Sequence, residues 1–398
     1  MPKHIAAQEQ HGLDLALQMM AIPGKSGEEK AIAQFIVERL LEWGVRDAQI
    51  RFDGAHRRSP HGGQTGNLIV KLPGTFRGPR RLLMAHMDTV PLCVGSQPVR
   101  DGALIRSADP ETALGGDNRA GAAVVLNSVR DILCHDRPHP PLTMLWTIQE
   151  EVGLVGARHV SLSALSQPKL CFNWDGGAPN TAVIAATGCD HVDMRIDGVA
   201  SHAGAHPEQG VNALSVLSLA MTDLNHNGWL GLICKGRHSG TSNLGVVSGG
   251  QATNVVMPRV EVLAEVRSHK RAFRKRIVDA FRKALLEAAR QLPSSEGRRA
   301  KVHFSSTLKY EAFRLSSRLP VVRTALNAVA QAGLEPQTRS CNGGLDANWL
   351  IARGLPTVTL GCGQAGIHTV EETLHVESYL AACRVAAVLA AGDSSTAS

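Results

Sequence analysis

A chain of 398 residues, 43% hydrophobic and 19% charged, can bury a large core and is long enough for two domains of about 150 residues each. Its net charge of +7 comes largely from Lys270, Arg271, Arg274, Lys275, Arg276, Arg282 and Lys283, between which Phe273, Ile277, Phe281 and Leu285 recur at helical spacing; this reads as the solvated face of an amphipathic helix, and with aromatics at only 4% it speaks against nucleic-acid binding. The eight cysteines include no CxxC pair, no signal-type segment opens the chain, and no apolar run approaches the ~18 residues of a membrane span, so a disulfide framework and a membrane protein are set aside in favour of a reduced, cytoplasmic protein.

Up to about residue 187, strand-like and helix-like segments alternate, the pattern of a doubly wound α/β domain. Helices are predicted over 13–20 and 28–43. The run Leu82-Leu83-Met84-Ala85-His86-Met87-Asp88 comes next. Its continuous apolar character marks a parallel strand covered on both faces, and His86 would stand at the carboxyl end, where open α/β sheets bind ligands. Gly115-Gly116-Asp117-Asn118 then precedes a helical run over 119–133. The strand pattern returns in 142–151, ending on Glu150-Glu151, and in 170–175, ending on Asp175.

The middle third has another rhythm. Segments 189–198, 241–248 and 260–267 alternate as half-buried strands should, 212–224 and 270–292 read helical, and a further strand is expected near 301–306. That order suggests a small α+β domain with two helices on one sheet. A helix over 320–331, a turn at Gly343-Gly344 and a strand over 356–360 restore the α/β pattern, and the last strand leads through a glycine loop to His368. A ligand-type residue beyond the middle domain implies that the last quarter of the chain completes the first sheet. The α+β domain, 188–303, is then an insertion into an α/β domain made of 1–187 and 304–398. The tail 392–398 is small and polar and is expected to be disordered.

His86, Asp117, Glu151, Asp175 and His368 are thus residues of metal-binding type at strand ends and at a helix start. Imidazole and carboxylate suit zinc, with cobalt or manganese as substitutes. Two zinc ions ~3.5–4 Å apart need a bridging carboxylate. Asp117 is placed for that role, and equally for capping its helix. His86 and Asp175 would complete one metal, Glu151 and His368 the other, with Asp88 behind His86 fixing its tautomer. Neighbours on an extended strand point opposite ways, so Glu150 and Glu151 do not both serve one metal. Glu150 is left as a general base. A water bridging two zinc ions is acidified toward a pKa of ~7, and a nearby carboxylate can take its proton and pass it to a leaving amine.

The stretches His86-Met87-Asp88-Thr89-Val90-Pro91, Gly115-Gly116-Asp117-Asn118-Arg119-Ala120-Gly121, Glu150-Glu151-Val152-Gly153, Asp175, Ser201-His202-Ala203-Gly204 and Gly366-Ile367-His368-Thr369 resemble, in order, the motifs of the M20 dinuclear-zinc aminoacylase and peptidase family. Gly343-Gly344-Leu345-Asp346-Ala347-Asn348 makes the chain most similar to the tripeptidase, or peptidase T-like, branch. The resemblance implies the metal roles above and a zinc-hydrolase domain whose insertion is a lid that forms a homodimer. It also implies that His202 stabilises the tetrahedral oxyanion, that Asn254 and Arg267 hold the far end of the substrate, and that Asp346 either supports the glycine turn or meets a substrate amine. The activity it implies is that of a two-zinc exopeptidase on short peptides, an aminopeptidase or tripeptidase. An N-acyl amino acid amidohydrolase shares the same motifs, and a two-metal phosphoesterase the same metals. A metal-binding interaction protein without catalysis would have no need of Glu150.

Overall fold

The computed structural model describes residues 7–392; the polar tail beyond them lies outside the described residues. The chain divides into two compact units. The first runs to Ala185 and adds Arg314–Ser340 and the residues from Leu345 onward; the second is Ala186–Phe313 with the short return Cys341–Gly344. Strand Lys301–Tyr310 pairs along its length with Gly188–Asp197, which carries the second unit to Phe313, past the 303 at which the sequence reading ends it. Cys341–Gly344 belongs with it because Thr187 donates from its backbone to Cys341 O at 3.3 Å and from its hydroxyl to Asn342 O at 2.8 Å.

The first unit is built on a nine-stranded sheet. Its order is Ile50–Phe52, Leu68–Leu72, Leu142–Thr147, Arg81–His86, Leu170–Trp174, Thr357–Leu360, Thr181–Ala186 and Phe313–Arg314, with Gln337–Cys341 also pairing with Thr181–Ala186. The four adjacent strands from Leu142–Thr147 to Thr357–Leu360 run parallel. They are the four apolar runs of the sequence, and they are buried almost throughout because both faces are covered. Leu82, Met84, Leu145 and Cys171 pack on one face with Leu165 and Leu350. Trp146 points to the other face, where its indole donates to Ala122 O at 3.1 Å in the helix Gly116–Cys134. Each such Leu or Met contributes about 1.5–3 kcal/mol by leaving water. The parallel register sets His86 beside Thr147, and Trp174 beside Leu360, so the carboxyl ends of all four strands fall on one edge.

The second unit is a five-stranded antiparallel sheet in the order Gly231–Lys235, His238–Gly249, Arg259–Ser268, Gly188–Asp197, Lys301–Tyr310. Alternation decides its buried face. Val192, Met194, Ile196, Val260, Val262, Ala264 and Val266 turn inward against Val216, Leu217 and Leu224 of the helix Ala213–His226 and Phe273, Ile277, Phe281 and Leu285 of Arg271–Gln291. Asn212 caps the first of these helices by accepting from Leu214 and Ser215 at 2.9 and 3.3 Å. The basic run lies on the second helix, with one departure from a solvated face: Arg274 is 2% exposed and pairs with Asp190 at 2.6 Å and Glu311 at 3.0 Å. No helix among the described residues is long and apolar enough to cross a membrane.

Candidate metal centre

At the sheet edge Asp117 is the hub. One carboxylate oxygen, Oδ1, lies 3.3 Å from His86 Nε2, and the other, Oδ2, lies 3.3 Å from His368 Nε2. Glu151 stands 3.0 Å from His368 Nε2, and Asp175 Oδ1 is 4.0 Å from His86 Nε2. One ligand atom from each of His86, Asp117 and Glu151 fits within 4.8 Å. All five residues read as ligands are thereby brought together in the first unit. His86 and Asp175 gather on one side of Asp117, Glu151 and His368 on the other.

Each ligand is held by its surroundings. The His86 Nδ1 side faces the Asp88 backbone oxygen at 3.2 Å and Asp88 Oδ1 at 3.4 Å, which leaves Nε2 aimed at Asp117 and Asp175. Asp88 in turn accepts from Ser26 Oγ at 2.6 Å. Asp117 sits at the non-helical start of Gly116–Cys134, where Glu372 accepts the amides of Gly115 and Asp117, each at 2.7 Å. Gln364 ties two ligand loops together: it donates to Gly116 O at 2.6 Å and Asn118 Oδ1 at 3.0 Å, and accepts from Gly176 N at 2.8 Å. Glu372 and Gln364 carry no motif that marked them in the sequence.

The strand that leads to the two glutamates is shorter than its apolar pattern suggests. It ends at Thr147, and Gln149 adopts a left-handed backbone with φ +52°, so Glu150 and Glu151 lie in a turn rather than on an extended strand. Glu151 joins the cluster with His368. Glu150 has no ion-pair partner among the described residues. Asp346 is 1% exposed, and its Oδ2 accepts from Thr147 Oγ1, the neighbour of His86 in the sheet. Its Oδ1 is buried without a donor, and its charge acts on both Glu150 and Asp175.

The electrostatics of the cluster fit bound cations. Burial pushes Glu150, Asp175 and Glu151 above the usual carboxylate range, and neighbouring acids add to the shift, whereas His86 and, at Glu151, the bond to His368 oppose it. Burial alone would pull His86 down, but Asp117 and Asp88 hold it well above its ordinary value. His368 is raised to about 10 by its bonds to Asp117 and Glu151. Four acids thus crowd two imidazoles that are needed as neutral ligands, and Asp117 Oδ1 is buried without a hydrogen-bond donor. A deficit of positive charge, and a carboxylate that faces two imidazoles with its Oδ1 lacking a donor, are what a pair of divalent cations would satisfy.

The second unit places the other sequence-derived residues. His202 is exposed and forms a bridge with Val255, and Ala203 N donates to Asn254 O at 2.9 Å, so His202 and Asn254 share one loop cluster. The His202 Nδ1 accepts the amides of Gly204 and Ala205 at 3.2 and 3.0 Å, which leaves the proton of the neutral ring on Nε2. Arg267 is not beside them. It lies near the far end of Arg259–Ser268, roughly 26 Å along the strand at ~3.3 Å per residue. Both of its hydrogen-bonding arms go to Glu265 at 2.9 Å.

Fold and site together define a hydrolase of α/β architecture with an inserted α+β unit and a histidine–carboxylate cluster of metal-binding type at the carboxyl ends of the parallel strands of a mixed sheet. The chain belongs to Peptidase family M20/M25/M40, whose sequence model matches residues 82–391. The Bacillus subtilis (strain 168) protein YqjE, described as uncharacterized, is 30% identical over 370 residues that span 93% of this chain and 94% of that protein. The crystal structure of a tripeptidase from Staphylococcus aureus matches with a TM-score of 0.84 at 28% identity, covering 96% of this chain and 97% of that one. The crystal structure of aminopeptidase PepT from Bacillus cereus matches with a TM-score of 0.82 at 28% identity, covering 96% and 98%.

Proposed function

We propose that the chain is a two-zinc exopeptidase that removes the amino-terminal residue from short peptides, in the cytoplasm and as a homodimer formed through the inserted unit. The observation that carries this reading is Asp117, with one oxygen toward each of two imidazoles. His86 and Asp175 would hold one ion, Glu151 and His368 the other, and Asp117 both. When bound, such ions supply Lewis acidity for the scissile carbonyl and for a nucleophilic water. The names of the tripeptidase and aminopeptidase neighbours support the substrate class. All eight cysteines are free, which supports a reducing compartment.

Glu150 takes the proton of the attacking water and returns it to the departing amine. Its burial beside Asp175, Asp346 and Glu151 makes it more basic than an exposed glutamate. His202 donates from Nε2 to the developing oxyanion, and Asn254 beside it and Arg267 hold the far end of the peptide, Arg267 sharing its fork with Glu265. In the proposed homodimer, His202 and Asn254 would come from one copy of the chain and Arg267 from the other.

The test is turnover by the zinc-reconstituted protein on matched peptides, one with a free amino terminus and one acylated there. Release of the first residue from the free-amino peptide alone is expected. Cleavage of the acylated partner would move the assignment to an N-acyl amino acid amidohydrolase. His202→Ala should lower kcat with the metal content unchanged, and equal kcat would remove it from the oxyanion role.

A further inference from the structure

Beyond Thr147 four successive amides have left the strand, and each donates to a buried or partly buried side chain. Ile148 N reaches Asn67 Oδ1 at 3.1 Å, Gln149 N reaches Glu29 Oε1 at 3.1 Å, Glu150 N reaches Asp88 Oδ1 at 2.9 Å, and Glu151 N reaches Asp88 Oδ2 at 3.2 Å. Asp88 belongs to the metal centre through His86, and Asn67 is bonded in addition to Asp53 and Gly156. Glu29 has no such explanation. It is 0% exposed, precedes the helix Lys30–Glu42, and makes no capping bond to that helix. It turns away to accept Gly27 N at 2.7 Å and Gln149 N.

Gln149, which Glu29 grips, has the left-handed φ that non-glycine residues rarely adopt. Its side chain is fixed as well. Ser59 Oγ donates to its Oε1 at 2.5 Å, and its Nε2 donates to Gly62 O at 2.7 Å. Its own carbonyl accepts Val155 N at 3.1 Å. A residue held at backbone and side chain in an unfavourable conformation determines where the next residue leaves the chain, and that residue is Glu150.

We propose that Glu29 and Gln149 are positioning residues for Glu150: by holding Gln149 left-handed they aim the Glu150 carboxylate at the reacting centre. The inference rests on the reading of Glu150 as general base. A base must lie within hydrogen-bond reach of the proton it takes, and a misplacement of about 1 Å costs on the order of 100-fold in rate.

The experiment compares Glu29→Leu, Glu29→Gln, Gln149→Asn and Glu150→Gln in the zinc-loaded full-length protein, reading kcat, KM and bound zinc with a free-amino tripeptide. Glu29→Leu should lower kcat on the order of 100-fold with KM little changed and zinc retained. Glu29→Gln keeps an oxygen for both amides and should recover most of that loss. Gln149→Asn tolerates the left-handed backbone but cannot span to Ser59 and Gly62; it should lose kcat with zinc retained, which keeps the test open if Glu29→Leu fails to fold. Normal kcat in folded, zinc-loaded Glu29→Leu or Gln149→Asn would overturn the proposal, and so would a loss of activity that only follows a loss of zinc. Normal turnover by Glu150→Gln would sink the base reading and the positioning with it. An inactive Glu150→Gln beside normal Glu29 and Gln149 variants would keep the base and discard the positioning.

Discussion

Asp88 accepts the backbone amide of Glu150 at 2.9 Å, so the carboxylate that faces His86 also anchors the chain from which the proposed base projects. One substitution should therefore disturb both halves of the site. Asp88→Ala is expected to weaken metal binding about 10–100-fold, as removal of a ligand's outer partner does, and to lower kcat even at saturating zinc. Glu150→Gln should leave zinc content intact while kcat falls on the order of 10²–10⁴-fold. Equal zinc affinity in Asp88→Ala and the unaltered protein would show that Asp88 does not orient His86.

Asp117 faces two imidazoles, whereas His368 faces one side of the cluster only. Removing them should give different stoichiometries. Metal analysis after dialysis against limiting zinc should find Asp117→Ala depleted at both positions and His368→Ala depleted at one. Identical depletion in the two variants would argue against a bridging Asp117.

Glu372, 1% exposed, is the acceptor for the amides of both Gly115 and Asp117. Glu372→Leu leaves two buried N–H groups without a partner, at about 1–3 kcal/mol each. A lower melting temperature and a weaker zinc affinity are expected together, because the loop that loses its clamp is the one that carries Asp117. Unaltered melting would mean that water or another group takes up both amides.

The metal-stripped protein should lose stability as pH rises. Asp346 is raised by burial to about 6, Glu372 and Glu29 by burial to about 7, and Glu150, Asp175 and Glu151 lie above the usual range. All of these bind protons more tightly folded than unfolded, so the stability they contribute is complete below the unfolded pKa and is lost as pH climbs through the folded one. His368, raised to about 10, acts in the same direction, while Asp88 and Asp117, held low against the effect of burial, matter only toward acid pH. In chelator, melting temperature should fall between about pH 5 and pH 8, and saturating zinc should flatten that slope. A chelated protein that melts higher at pH 8 than at pH 5 would contradict the electrostatic account.

The sheet edge was legible because a strand buried on both faces excludes polar residues, so the first His, Asp or Glu beyond an apolar run marks where the strand leaves the core. His86, Asp175 and the Glu150–Glu151 pair were found in that way. What holds them was not legible, for a physical reason: Glu372, Gln364 and Glu29 act on backbone amides and carbonyls far away in sequence, and such contacts leave no residue-type pattern. Glu29, in front of a helix, looks like an ordinary acid favoured by the helix dipole. Gln149 gave no sign of its turn because left-handed positions are usually marked by glycine. The acceptor role of Cys341 and Asn342 for Thr187 was hidden in the same manner, and with it the return of the chain to the second unit.

The strand Thr357–Leu360 lies between Leu170–Trp174 and Thr181–Ala186, although the whole of the second unit precedes it in the chain. On a ribosome, His86, Asp88, Asp117, Glu150, Glu151 and Asp175 are therefore all synthesised while the sheet that displays them still has an empty lane. The interposed unit has time to fold in that interval, since domains tend to fold as they emerge. Only afterwards can the missing strand slide into place and bring His368 with it. On the two-ion reading proposed above, the second set of ligands is complete only once His368 has joined the sheet edge, and ribosome-bound chains arrested before residue 357 should bind less metal than the released protein.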